Sequence, residues 1–187
     1  QRGAVVELSP ASQRVAGLGR LDLDDLRAEA REHGPGERAG DQPGDKGQSP
    51  SSPAWVGASE AANTPALFDR ARALGVTIVT DLEAAQPEAS LQLQRFIEAS
   101  SAVYLTFCLD VLPPTVAPGV SAPAGLGVAL HRVVTLLKDA LAACGHGRPG
   151  SKLLLADIAE LNPRFDPDGR TARTAARLVY ELAAIHR

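Results

Sequence analysis

The chain has 187 residues, 44% of them apolar, and a net charge of −3 with acids and bases mixed along its length. That length suits one domain. The mixed charge leaves no basic stripe for nucleic acid, and no apolar run approaches the roughly 18 residues of a membrane helix.

Two cysteines, Cys108 and Cys144, make no disulfide framework and suit a reducing cytoplasm. The opening QRGAVVELSP has no basic-then-apolar signal profile. Because the sequence starts at Gln1 and holds no methionine, it is expected to be a fragment or to begin upstream. Residues 1–52 contain one expected helix, 21–32, with Leu21, Leu23 and Leu26 as its few apolar positions. His33-Gly34-Pro35-Gly36 stops it. The polar stretch 36–52 cannot offset its ordering entropy by burial. The chain is therefore divided into a poorly structured or non-family segment, 1–52, and a folding part, 53–187.

From Pro53 onward the texture changes. Thr64-Pro65 reads as an N-cap with proline at the first helical position, and Leu67, Phe68, Ala71 and Leu74 follow at helical spacing. Gly75 is the expected stop. Residues 76–79 (VTIV) form a short β-branched strand. Pro87 opens a second helix carried by Leu91, Leu93, Phe96 and Ile97, and 103–109 is the next strand. A third helix spans about 128–143 and ends at Gly145, and a third strand spans 153–158. A last helix, about 171–185, puts Ala175, Leu178, Leu182 and Ile185 on one face. Nearly apolar strands alternating with amphipathic helices predict an α/β fold: a parallel sheet covered on both faces. Such folds keep their sites at the carboxyl ends of the strands.

Three strand ends there carry candidates, the one near Thr80-Asp81 being the less distinctive. The run 103–109 ends on Asp110 and breaks into a loop rich in Pro and Gly. Another places Asp157, Glu160 and Asn162 around a strand terminus. Carboxylates at neighbouring ends suit a divalent metal or a cationic substrate group; helix capping or pairing with a surface arginine is the plainer alternative. Cys144-Gly145-His146 supplies too few donors for a metal and reads as a helix terminus with a surface histidine. His131 and His186 read as helix-surface or helix-end residues, and Gly125 and Gly127 as a weak phosphate signal. Trp55 reads as a core or interface anchor.

YLTFCLDVLPPTVAPGVSAPAGLG, followed by LLLADIAELNPRFDPDGRTARTAARLV, resembles the C-terminal half of formimidoylglutamases, a branch of the arginase-like ureohydrolase superfamily. ASEAANTPALFDRARALGV resembles the stretch upstream of those motifs. The resemblance covers about residues 55–179 and implies a three-layer α/β/α fold, here with an incomplete N-terminal half. It also implies two Mn²⁺ ions that generate the attacking hydroxide. The implied reaction is hydrolysis of N-formimidoyl-L-glutamate to L-glutamate and formamide, in histidine degradation. The implied partners are that small molecule and further copies of the chain, with neither nucleic acid nor membrane.

Residue by residue, Asp110 matches the second Asp of the family's Asp-x-Asp motif, a metal ligand. Cys108 stands where the first Asp is expected; it is either a softer ligand or a buried strand cysteine. Glu160 matches the glutamate of the E-x-N-P motif, the catalytic position that contacts the substrate's cationic head. Ser121 lies where a substrate contact is expected. Asn63 is either substrate-facing or a helix cap. The Gly-Gly-x-His and Asp-x-His-x-Asp segments that carry the family's other ligands do not occur in this sequence. Asp22, Asp24 and Asp25 read as a polar helix face and His33 as a loop residue. A non-catalytic homologue that binds a ligand or another subunit is therefore the alternative reading.

Overall fold

A computed structural model describes residues 3–8 and 51–184. The expected helix 21–32 and His186 lie outside them. Five strands form one parallel sheet: β1 (Gly3–Leu8), β2 (Ser51–Ala58), β3 (Thr77–Thr80), β4 (Ala102–Cys108) and β5 (Leu153–Ala159), in the order β3-β2-β1-β4-β5. Five α-helices accompany them: α1 (Pro65–Ala73), α2 (Asp81–Ala84), α3 (Glu88–Glu98), α4 (Leu130–Ala143) and α5 (Arg170–Ala183).

The three strands read from the sequence are present within a residue or two. The sheet also takes β2, which runs across the Pro53 boundary, and β1, from the start of the sequence. β1 lies at its centre, paired with β2 on one side and β4 on the other. Ala4, Val6 and Leu8 are buried, so the segment 1–52, expected to be poorly structured or outside the family, contributes the strand Gly3–Leu8. β2 tolerates Pro53 because its pairing with β3 starts only at Ala54. A proline there lies where the strand has one neighbour, the strand position that best accepts a missing N–H.

Alternation sorts the side chains onto two faces. Val6, Leu8, Val56, Val79, Leu105 and Phe107 join Leu93, Ile97, Leu136 and Leu137 in the main core. The helix residues recur three or four apart, so one stripe of α3 and one of α4 meet the sheet. On the opposite face Trp55, Ala71 and Val76 form a second cluster, with Ile78 packed against it beneath α1.

Helix ends follow local chemistry. Gly75 and Gly145 take left-handed conformations one residue beyond the C-caps of α1 and α4. Thr80 and Glu83 form a capping box that starts α2. Among the described residues no helix is long and apolar enough to cross a membrane.

Candidate functional site at the carboxyl edge of the sheet

The carboxyl ends of β4 and β5 lie side by side, with Cys108 opposite Ala159. Just beyond them the chain presents Asp110 and Glu160. Asp110 sits half-buried on a 3₁₀ turn, Leu109–Val111, whose flanking apolar residues are fully buried. Cys108 closes β4 with its side chain buried. The loop that follows crosses the edge and returns to the same turn, where the Val128 N–H donates to the Val111 carbonyl at 2.8 Å.

Glu160 is the one non-glycine residue with positive φ among the described residues, at +73°. That conformation costs an L-residue about 1–2 kcal/mol and persists where the surroundings over-determine it, a condition concentrated at functional sites.

Two loops meet beside Glu160. The Asn162 N–H donates to the Gly119 carbonyl at 2.8 Å. The Asn162 Nδ2 donates to the Ser121 hydroxyl at 3.0 Å. Gly119 is held from its other side, its N–H donating to the Thr171 hydroxyl at 2.7 Å. A Cβ on Gly119 would meet that of Asp166 at 2.4 Å. Asp166 accepts the Thr171 and Ala172 N–H groups, each at 2.9 Å, and so caps the first turn of α5. Its desolvation favours the neutral acid, but those N–H groups and the Thr171 hydroxyl outweigh it and lower its pKa. Asp166 and Thr171 were not among the sequence candidates. An Asp shortly before a helix onset is a capping signal, but their contact with Gly119, about fifty residues away in sequence, leaves no local trace.

Other candidates take different places. Asp157 is not at the strand terminus with Glu160. It lies inside β5, accepting hydrogen bonds from Tyr104 and, at 2.5 Å, from Thr106 on β4. Asn63 is not the helix cap, a position that Thr64 holds. Its Nδ2 donates to the Ser59 carbonyl at 2.7 Å, bracing the turn after β2. That turn, the start of α2 and Gly125-Leu126 line a cleft of about 500 Å³ at the ends of β2 and β3.

Burial pushes the Cys144 thiol up to about 11, with Lys152 opposing, so it stays protonated at neutral pH and is a poor metal ligand. His146 is half-buried rather than on the surface. His131 is exposed, as expected, and Trp55 is a core residue.

A family model for the Arginase family matches residues 43–184. The chain belongs to the arginase family. This arginase-family chain is 52% identical over 131 residues to a Formimidoylglutamase of Aromatoleum aromaticum, covering 68% of the chain and 36% of that relative. It is 47% identical over 134 residues to a Formimidoylglutamase of Aliivibrio fischeri, covering 70% and 38%. The match thus spans little more than a third of the length of these relatives. Among solved structures, a Trypanosoma cruzi formiminoglutamase with Mn²⁺ superposes with a TM-score of 0.65 at 17% identity, over 96% of this chain and 53% of that one. That likeness establishes the fold.

The family resemblance implies two manganese ions. Asp110 offers a hard carboxylate at the edge, which suits Mn²⁺, whereas Cys108 offers a buried, softer thiol. Among the described residues no group of three or more His, Cys, Asp or Glu can hold a metal ion. Asp110 and Cys108, one hard donor and one soft, are by themselves too few for a dinuclear manganese centre.

Proposed function

We propose that this chain carries the amidine-binding side of an arginase-family active site, in a protein that hydrolyses N-formimidoyl-L-glutamate to L-glutamate and formamide in histidine degradation. The observation that carries the reading is Glu160. It is a half-buried carboxylate in a left-handed backbone conformation at the sheet's carboxyl edge, in a chain 52% identical over 131 residues to a Formimidoylglutamase. A carboxylate in that setting suits the amidinium of the substrate, because charge-assisted, bidentate hydrogen bonds hold a planar cation in one orientation. Held this way, the amidine carbon is presented to an attacking water in a fixed geometry, which is where positioning lowers a barrier. Ser121, hydrogen-bonded to Asn162 two residues further on, suits the remainder of the substrate.

Manganese dependence belongs to this proposal for the complete protein, with further donors coming from outside the described residues. A cytoplasmic setting belongs to it as well, in keeping with two buried cysteines that form no disulfide. Cys108 supports a second reading, a non-catalytic homologue that retains ligand binding, because a buried thiol stands where the family resemblance expects a bridging Asp.

The test is hydrolysis of N-formimidoyl-L-glutamate with added Mn²⁺, paired with metal analysis. Under the first reading turnover occurs, and Glu160→Gln and Asp110→Ala each lower it at least a hundredfold. No bound metal and no turnover, with amidine binding retained, would establish the second.

A further inference from the structure

The side chain of Asn162 is bonded at both ends, and the two bonds fix which way it faces. Its Oδ1 accepts the Arg164 N–H at 3.2 Å inside the 3₁₀ turn Pro163–Phe165. A backbone N–H bonds only an acceptor, so the carbonyl end of the amide is committed there and the Nδ2 end must face Ser121. The Ser121 oxygen, 3.0 Å away, is consequently an acceptor toward Asn162. Its own O–H proton is then left to donate elsewhere. Ser121 is exposed, so that proton is available to a ligand entering beside Glu160.

We propose that Asn162 is a positioning residue that sets the Ser121 hydroxyl as a hydrogen-bond donor for a carboxylate oxygen of the ligand, beside the carboxylate of Glu160 that receives its cation. The inference rests on the reading of Glu160 given above and adds to it a division of labour: one group for each sign of charge on the substrate. Two features keep the donor in place. The Asn162 N–H bond to Gly119 fastens the turn to the Ser121 loop, and the Thr171 hydroxyl fixes Gly119 from behind. Asn162 itself need not touch the ligand.

The test measures binding of two probes, L-glutamate and formamidinium, to the unmodified protein and to Ser121→Ala, Asn162→Asp and the double variant. Asn162→Asp keeps the acceptor for Arg164 but replaces the donor toward Ser121 by a second acceptor, which draws the hydroxyl proton away from the ligand. Each single variant is expected to weaken L-glutamate binding about tenfold, and the double variant no further, because both remove the same donor. Formamidinium binding is expected to stay within about twofold in Ser121→Ala.

The new charge alone would repel L-glutamate equally with or without the serine hydroxyl, so additive losses would overturn the proposal. So would unchanged L-glutamate affinity in Asn162→Asp, or no L-glutamate binding by the unmodified protein while formamidinium binds. If formamidinium does not bind either, the amidine reading of Glu160 fails with it. Ser121→Ala changes one exposed side chain and should fold, which keeps the comparison decisive if Asn162→Asp does not.

Discussion

A methyl group on Gly127 would meet the Pro113 nitrogen at 2.4 Å and the Leu112 carbonyl carbon at 2.7 Å, and the residue sits at φ +72°. Backbone cannot yield as a flexible side chain can, and left-handed φ penalises any L-residue. Gly127→Ala is therefore expected to destabilise the protein by about 2 kcal/mol or more, read as a lower urea midpoint. Because Gly127 lies in the loop that returns beside Asp110, the same substitution is expected to lower amidine binding. Glu181 is a buried carboxylate on α5. The side-chain hydrogen bond from Arg177 is the main cause that lowers its pKa, against desolvation and with help from Lys138. Its Arg177 contact is an i,i+4 pair on α5, while Lys138 reaches it from α4 at 3.3 Å.

Whole elements are joined by a few side chains at their ends. Arg132 of α4 donates to the Ala84 and Gln86 carbonyls at 2.8 and 2.6 Å and to the Ser90 hydroxyl at 3.1 Å, pinning the α2–α3 connection. Lys152 donates to the Ile97 and Glu98 carbonyls, closing the C-terminal end of α3 onto the start of β5. The N-terminus of α5 depends on Asp166, which gives it a pH dependence of known sign. Its folded pKa is lowered, so its contribution is complete above the ordinary aspartate value of about 3.9 and is lost as pH falls through the lower, folded value. Asp166→Asn is expected to lower Tm at pH 7 and to remove part of the acid-side fall of Tm seen on going from pH 5 to pH 2. A parallel downward shift of the whole Tm–pH curve would show that the carboxylate charge plays no part.

Across the whole molecule the sheet is asymmetric. β5 has β4 as its one paired neighbour among the described residues, and its Leu154 and Leu155 are 76% and 52% exposed. A long apolar edge strand is a template for pairing with another chain. The chain by itself is therefore expected to self-associate at micromolar concentration in analytical ultracentrifugation, and Leu154→Lys to shift it toward monomer. A wild-type chain that sediments as a single monomer with cooperative unfolding would refute this.

Local rules made a large part of this protein legible in its sequence. The periods of α1, α3, α4 and α5, the β-branched run at β3, the stops at Gly75 and Gly145, and an acid delivered just past β4 all follow from residues a few positions apart. The quoted motifs also led to the arginase-like fold, and the Thr80–Glu83 pattern was there to be read for α2. The tertiary structure decided what depends on distant partners. β1 is a central strand because two neighbours pair with it from about fifty and a hundred residues away, contacts with no periodic signature of their own. Asp157 left the candidate site because Tyr104 and Thr106 on the next strand take its oxygens. Glu160, already legible as a candidate, takes its left-handed backbone conformation there, beside an Asn162 that reaches Gly119 and Ser121 some forty residues earlier in the chain. Periodicity and capping are short-range and are written along the chain; strand order and hydrogen-bond partners across the sheet edge exist only after the chain has closed on itself.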